Sequence, residues 1–147
     1  MATITRFEDL EIWQLAFEQT KDFDFLIETT LLSKDFELKN QMNASSGSVM
    51  DCIAEGFERS GNSEFKNFLV IAKGSNGEFR SQLYRCLHRK YITREKFDEL
   101  YSKNEILGKK MMSFIQYLQK TEYKGQRYKE NESSSKPQTS NVKPQTT

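Results

Sequence analysis

Proline, glycine and cysteine are all scarce in this chain of 147 residues. The two prolines, Pro137 and Pro144, stand near the C-terminus, so residues 1–136 contain none. Because β-sandwiches and barrels need many proline- and glycine-rich turns, this scarcity argues against both folds and favours long helices. The two cysteines, Cys52 and Cys86, are too few for a disulfide framework, and we expect both to be reduced and buried in a cytoplasmic protein.

Long apolar runs are missing as well. No stretch approaches the roughly 20 apolar residues of a membrane span. The N-terminus carries Glu8, Asp9 and Glu11 where a signal peptide would have an apolar run, so we expect neither secretion nor a membrane partner. The length fits one compact domain.

Sequence motifs of enzymes and metal centres are also missing. Arg85 stands three positions before His88, the single histidine, which excludes the Glu-x-x-His pairs of carboxylate-bridged metal sites. The sequence has no Cys/His cluster for zinc, no P-loop and no G-x-S-x-G or G-x-G-x-x-G fingerprint. Glu55 and Glu78 are acid–base candidates, but we interpret them as structural, in an ion pair with a residue such as Arg59 or at a helix end. The sequence therefore predicts no catalytic residue, metal or cofactor.

Charge is unevenly distributed along the chain. The 22 Lys and Arg nearly balance the 21 Asp and Glu, but residues 1–58 carry a net charge of −8, residues 59–120 of +7 and residues 121–147 of +2. The two oppositely charged segments can attract each other within one bundle, attract a neighbouring subunit, or leave one face of the protein basic. Charge alone does not choose among these.

Apolar residues at helical spacing predict four amphipathic helices, at about 8–30, 35–59, 64–91 and 94–120. We expect Asn62 or Ser63 to cap the third helix and Thr93 the fourth. The heptad seam of the fourth helix has one polar member, Asn104, which is expected to be buried and to fix register. The apolar stripe of the first helix is expected to follow Leu10, Trp13, Phe17, Thr20, Ile27 and Leu31, and to be widened by Ala16, Phe23 and Leu26.

Short connections make neighbouring helices antiparallel. Residues 1–121 are therefore predicted to form an all-α, up-down-up-down four-helix bundle. Residues 122–147 are rich in polar side chains that cannot bury enough surface to order themselves, so we expect a disordered polar tail. Glycines interrupt neither the second nor the third helical pattern, and we interpret Gly74 and Gly77 as sites of close helix packing, within or between subunits.

The third helix carries a basic face opposite its apolar stripe, with aromatic and apolar residues interleaved. Lysine and arginine there can neutralise phosphates while tyrosine and histidine stack on bases, which is one interpretation. The alternatives are a solvated helix face and a subunit interface. The candidate RNA-binding residues are Lys66, Lys73, Arg80, Tyr84, Arg85, His88, Arg89, Lys90 and Arg94.

Several ordered motifs resemble one protein family. They are Phe7-Glu8-Asp9-Leu10-Glu11-Ile12-Trp13-Gln14, then Ile53-Ala54-Glu55-Gly56-Phe57-x-Arg59, then Phe65-x-x-Phe68-Leu69-x-Ile71-Ala72-x-Gly74-Ser75-x-x-Glu78. Together they resemble the four-helix proteins encoded in 23S rRNA intervening sequences, over about residues 6–120. A related branch contains the accessory protein of diversity-generating retroelements.

The resemblance implies a ring-shaped homopentamer without catalysis, associated with ribosomal RNA. It also implies structural roles for the motif residues Glu55, Gly56, Arg59, Gly74, Ser75 and Glu78. The alternative is a protein-interaction scaffold that docks a polypeptide such as a reverse transcriptase. This chain has Met42 and Asn43 where the family often has two arginines, which leaves the third helix as the better candidate for an RNA site.

Overall fold

The computed structural model describes residues 3–133, with side chains as far as Tyr123, and its core is a four-helix bundle. Each helix packs against its two neighbours in the order α1, α2, α3, α4, and α4 returns to α1. The all-α, up-down-up-down bundle is thus confirmed. The helices are α1 at Glu11–Thr29, α2 at Phe36–Glu58, α3 at Asn62–His88 and α4 at Arg94–Ser133, with short 3-10 turns at Phe7–Asp9 and Leu31–Lys34.

A buried polar layer divides the bundle core into two apolar clusters. The cluster at one end includes Ile12, Val49 and Leu69, and the cluster at the other end includes Met42 and Phe79. Five polar side chains lie between them at 7% exposure or less, and every one has a hydrogen-bond partner. They are Gln19, Ser45, Asn76, Gln82 and Asn104.

The predicted apolar stripe of α1 is confirmed in part, since Ala16, Phe23 and Leu26 are buried as expected. Phe17 and Leu31 were expected to be in the core, yet they are 37% and 65% exposed. The apolar face of α1 is broad enough to allow two stripe centres. The structure selects the one that places Gln19 in the polar layer. The residues that α1 buries are Ile12, Ala16, Gln19, Phe23 and Leu26.

Helix starts were predicted with mixed success. Thr93 caps α4 as expected, since its hydroxyl accepts a hydrogen bond from the backbone N–H of Lys96 at 3.1 Å. The prediction for α3 was wrong, because Asn62 and Ser63 already lie inside the helix. The residue at the N-cap is Gly61, whose φ of 153° reverses the chain between α2 and α3.

Helix α3 ends three residues before the predicted end, at His88, in a Schellman motif. The N–H of Lys90 donates to the carbonyl of Leu87, and the N–H of Tyr91 donates to the carbonyl of Cys86. This motif requires a left-handed residue, and Lys90 occupies that position with φ of 62°. A lysine there is held in a conformation that glycine adopts at lower cost.

Helix α4 continues to Ser133, about three turns past the predicted boundary at residue 121. Residues 122–133 contain no proline and are rich in Glu, Lys, Gln and Arg, which favour helix. An ion pair between Lys66 and Glu122 at 2.9 Å joins the start of this extension to α3. The rest of the predicted disordered tail, residues 134–147, lies outside the described residues.

Candidate functional site

The nine candidate RNA-binding residues separate into two groups. The structure does not place them on one continuous face. Helix α3 packs between α2 and α4, and the position of each residue around α3 decides which of these two helices it meets. Lys66, Lys73, Arg80 and Tyr84 lie on the side of α3 that faces α4. The other group is Arg85, His88, Arg89, Lys90 and Arg94, at the end of the bundle where α3 turns into α4.

The first group borders an open groove of about 580 Å³ between α3 and α4. Its cations are Lys73, Arg80 and Lys109, and the single carboxylate among its lining residues is Glu105. We call this surface the α3–α4 groove. Exposed apolar side chains lie along it, so it combines positive charge with apolar surface. The full lining is Val70, Lys73, Gly74, Asn76, Gly77, Arg80, Glu105, Gly108, Lys109 and Met112.

An aromatic cluster closes the groove toward the α3–α4 turn. The Tyr84 ring lies 4.8 Å from Phe97 and 5.9 Å from Tyr101, measured between centroids. The Arg80 guanidinium is 5.9 Å from the Tyr101 centroid, which places it over that ring. A hydrogen bond with Tyr84 raises the pKa of Tyr101. Tyr84 is therefore tied into packing within the chain, although it stays 53% exposed.

In the second group, Arg89 is held by Asp35 at the start of α2. The Asp35 carboxylate accepts hydrogen bonds from the backbone N–H of Leu38 at 3.2 Å, the Arg89 guanidinium at 2.6 Å and the Tyr91 hydroxyl at 2.7 Å. The Tyr91 hydroxyl, followed by the Leu38 N–H and Arg89, holds the pKa of Asp35 below its ordinary value. Asp35 thereby caps α2 and connects it to the α3–α4 turn.

Several predicted cations in this group have partners within the chain. Arg85 donates to the Oε1 atom of Gln41 at 2.8 Å, and Arg94 pairs with Asp98 at 3.1 Å. The neutral amide of Gln41 leaves the charge of Arg85 uncompensated, whereas Arg94 is neutralised by its neighbour one turn away. His88 is exposed on the last turn of α3.

Two lysines that were not predicted complete the basic end. Lys34 shares a shallow groove with Lys90, and Lys39 lies over the Phe36 ring at 4.9 Å. Phe36 is 68% exposed. Within residues 3–123, no carboxylate lies within ion-pair distance of Lys34, Lys39 or Lys90. Lys34 and Lys39 come from the acidic half of the sequence, where a count of net charge conceals them. We call Lys34, Lys39, Arg85, His88, Arg89 and Lys90 the basic end.

The family-motif residues have structural contacts. Glu55 pairs with Arg59 at 3.3 Å, as the structural interpretation predicted, and the Glu78 carboxylate accepts from Gln82 at 3.3 Å. The hydroxyl of Ser75 lies 2.9 Å from that of Ser48, which links α3 to α2.

Close helix packing occurs at one motif glycine and not at the others. A Cβ atom at Gly56 would lie 2.6 Å from the Cβ of Phe68, so α2 and α3 approach each other most closely there. The prediction of close packing within the subunit is wrong for Gly74 and Gly77, because a Cβ at either would meet no atom within 4 Å. Both glycines instead line the open α3–α4 groove.

Reactive or metal-binding groups do not converge in the part of the chain that the structure describes. No three His, Cys, Asp or Glu side chains come together there to hold a metal ion. Burial raises the pKa of the Cys86 thiol to about 12, so this cysteine stays protonated beside the sulfur of Met42. Between residues 3 and 133, no helix combines the length and apolarity needed to cross a bilayer.

Comparisons with known proteins agree with this architecture. A family model described as 23S rRNA-intervening sequence protein matches residues 8–113. A crystal structure from Bacteroides thetaiotaomicron, described as a protein with unknown function from the S23 ribosomal protein family, resembles the chain with a TM-score of 0.60. The two are 24% identical, and the match covers 71% of this chain and 94% of that chain, which shows a common fold. No curated protein matches this chain.

Proposed function

Because the chain belongs to the 23S rRNA-intervening sequence protein family, we propose that it is a non-enzymatic, homo-oligomeric, RNA-associated protein that binds RNA through its basic end. The sequence resemblance that pointed to this family is confirmed. We propose further that the oligomer is a ring of five copies, that it acts in the cytoplasm, and that ribosomal RNA is a ligand.

The observation that supports RNA binding is a set of cations without ion-pair partners among residues 3–123, at one end of the bundle, one of which, Lys39, lies over the exposed Phe36 ring. Lys34, Lys39 and Lys90 have no carboxylate partner among the described residues, and Lys39 lies beside the exposed Phe36 ring. Lysines neutralise phosphates and release counterions, while an exposed ring stacks on an unpaired base. The basic end therefore offers both contacts that single-stranded RNA requires.

Arg85 and Arg89 contribute positive charge but also support the fold. Arg89 is hydrogen-bonded to Asp35, and Arg85 to Gln41. Reversing their charge would break these contacts between α2 and α3, so loss of RNA binding in such a variant would be ambiguous. The three lysines provide the cleaner test, because their ammonium groups make no ion pair within the described residues.

An oligomer would multiply a weak site. Three lysines on one subunit account for few phosphate contacts, which gives low affinity at physiological salt. Several copies held in one assembly raise the effective concentration of the later contacts, so a long RNA that reaches several subunits binds more tightly. Affinity should consequently rise with RNA length.

The experiment is a salt series of RNA binding, measured by fluorescence anisotropy with a labelled single-stranded RNA of mixed sequence. We expect affinity to fall steeply with salt, and Lys34→Glu or Lys90→Glu to lower the slope of log K against log salt by about one. Lys120→Glu is the matched control, an exposed lysine at the opposite end of the bundle.

Salt-independent binding would contradict the phosphate mechanism. An equal loss in Lys120→Glu would contradict the assignment to the basic end. If RNA binding is absent and Lys34→Glu instead abolishes capture of a polypeptide such as a polymerase, the basic end is a protein-docking site and the scaffold interpretation replaces this proposal.

A further inference from the structure

The outward side of α3 in the α3–α4 groove has the pattern of a helix that packs against another helix. Six exposed or half-buried positions there alternate by four and three residues, which is the spacing of a heptad seam. Val70 and Tyr84 are each 53% exposed, and a Cβ at Gly77 would meet nothing within 4 Å. Apolar side chains beside open backbone favour a protein surface as the occupant. The positions are Lys66, Val70, Lys73, Gly77, Arg80 and Tyr84.

The charge of the groove is uncompensated within the subunit. Lys73 and Lys109 form no ion pair with any described residue, and the groove holds one carboxylate, Glu105. Five exposed carboxylates on α1 and α2 likewise have no cation within ion-pair distance among residues 3–123: Asp24, Glu28, Glu37, Asp51 and Glu58. The bundle order places the α1–α2 face opposite the α3–α4 face. The middle of α2 and the α3–α4 groove therefore carry unpaired charges of opposite sign.

The outer surface of α2 repeats with the same spacing as the groove side of α3. Asp51 and Glu58 are seven residues apart, and so are Lys73 and Arg80. Each pair spans about 10.5 Å along its helix, so both carboxylates can meet both cations at once. Between and before the carboxylates, α2 presents small residues, which leave room for the protruding side chains of α3. The α2 positions are Ala44, Gly47, Asp51, Ala54 and Glu58.

We propose that the α3–α4 groove receives the outer face of α2 from a second copy of this chain. This inference rests on the homo-oligomer of the proposed function and names the two surfaces that form its contact. Because the surfaces differ, the contact is heterologous and repeats from copy to copy, and it gives a closed ring where the rotation between copies permits. Carboxylates on α2 of one copy neutralise cations in the groove of the next, which are Lys73, Arg80 and Lys109.

The test is a charge-swap experiment read by native mass spectrometry. The wild type is expected at a multiple of the 17.3 kDa protomer mass. Lys73→Glu/Lys109→Glu and Asp51→Lys/Glu58→Lys should each shift the mass to the protomer, since like charges then face each other. The variant that combines all four substitutions restores opposite charges and should recover the wild-type mass.

Circular dichroism of each variant establishes that the bundle is folded, because all four side chains are exposed and without ion-pair partners among the described residues. Lys120→Glu, at an exposed lysine on α4, is the control for a charge reversal away from the groove. An unchanged mass in Lys73→Glu/Lys109→Glu, or no recovery of the wild-type mass in the fourfold variant, overturns this inference. Neither result contradicts the proposal that the protein is an oligomer. A wild type at 17.3 kDa would instead contradict the oligomer of the proposed function.

Discussion

The buried polar layer can be tested through Asn104, which is fully buried in the centre of α4. Its Nδ2 atom donates to Gln19 Oε1 at 2.8 Å and to the Asn76 backbone carbonyl at 3.0 Å. The substitution Asn104→Ala removes these contacts. Within residues 3–123, Asn104 is the one hydrogen-bond partner of Gln19 Oε1, so that acceptor becomes unsatisfied.

The expected cost follows from which groups lose partners. Both polar side-chain atoms of Asn76 keep one partner, because its Oδ1 accepts from Gln19 at 3.1 Å and its Nδ2 donates to the backbone carbonyl of residue 104 at 3.1 Å. One orphaned buried acceptor costs about 1–3 kcal/mol. The lost side-chain packing adds roughly 1 kcal/mol. We therefore expect Asn104→Ala to lower the free energy of unfolding by about 2–4 kcal/mol.

The assay is urea denaturation followed by circular dichroism at one fixed protomer concentration, since oligomerisation contributes to apparent stability. A cost of Asn104→Ala below about 0.5 kcal/mol would refute the argument.

Three further predictions concern the backbone and one carboxylate. Lys90→Gly should raise the melting temperature by relieving about 1 kcal/mol of left-handed strain, and should weaken RNA binding because a cation is lost. Thermal denaturation and fluorescence anisotropy on one sample measure the two effects, and a fall in stability would contradict the Schellman assignment. Gly56→Ala should destabilise the protein by about 1–3 kcal/mol in urea denaturation, because its Cβ would lie 2.6 Å from that of Phe68. Gly74→Ala, which has open space around it in the subunit, should stabilise the protein by about 1 kcal/mol, and equal effects of the two substitutions would disprove the close approach of α2 and α3 at Gly56. Asp35, whose pKa is lowered in the folded state, contributes stability that is present above its unfolded pKa and is lost as pH falls. The melting temperatures of wild type and Asp35→Asn should therefore converge below about pH 4, and a difference that stays constant with pH would exclude this ionisation as the cause.

Helix number, order and most of the core were predictable from periodicity. The heptad seam of α4 correctly placed Leu100, Leu107 and Met111 in the core and identified Asn104 as its buried polar member. The partners of Asn104 were not predicted. Asn76 stands between glycines in a stretch that suggested close backbone packing, and Gln19 stands beside a more obvious aromatic stripe. A buried polar network depends on which helices face each other, which the spacing within one helix does not specify.

The basic surface was predictable in composition but not in arrangement. A helical projection treats Lys73 and Arg89 as one face of α3, although the first borders α4 and the second contacts α2. Lys34 and Lys39 were missed because they lie in a segment of strongly negative net charge. The turn geometry that brings Lys34 beside Lys90 is a tertiary feature. A sequence identifies the available cations, whereas the fold decides which of them stay unpaired.

The assignment of two functions to two surfaces links the charge asymmetry of the sequence to function. The α3–α4 groove contains open glycine backbone and apolar side chains, which suit a neighbouring subunit. The basic end contains lysines without ion-pair partners among residues 3–123, one of which lies over the exposed Phe36 ring, and these suit RNA. Variants of Lys73 should therefore lower the mass of the assembly, and should weaken RNA binding only because the avidity of several copies is lost. Variants of Lys90 should weaken RNA binding without changing the mass of the assembly.

Ultraviolet crosslinking in the native cell, followed by sequencing of the RNA recovered with this protein, tests the central claim most directly. Wild type and Lys34→Glu/Lys90→Glu would be compared at equal abundance, with Lys120→Glu as the control. We expect the wild type and the control to enrich the same RNA, with 23S rRNA among the first candidates, and the double variant to lose that enrichment. Recovery from the wild type that is no greater than from the double variant would contradict RNA binding through the basic end.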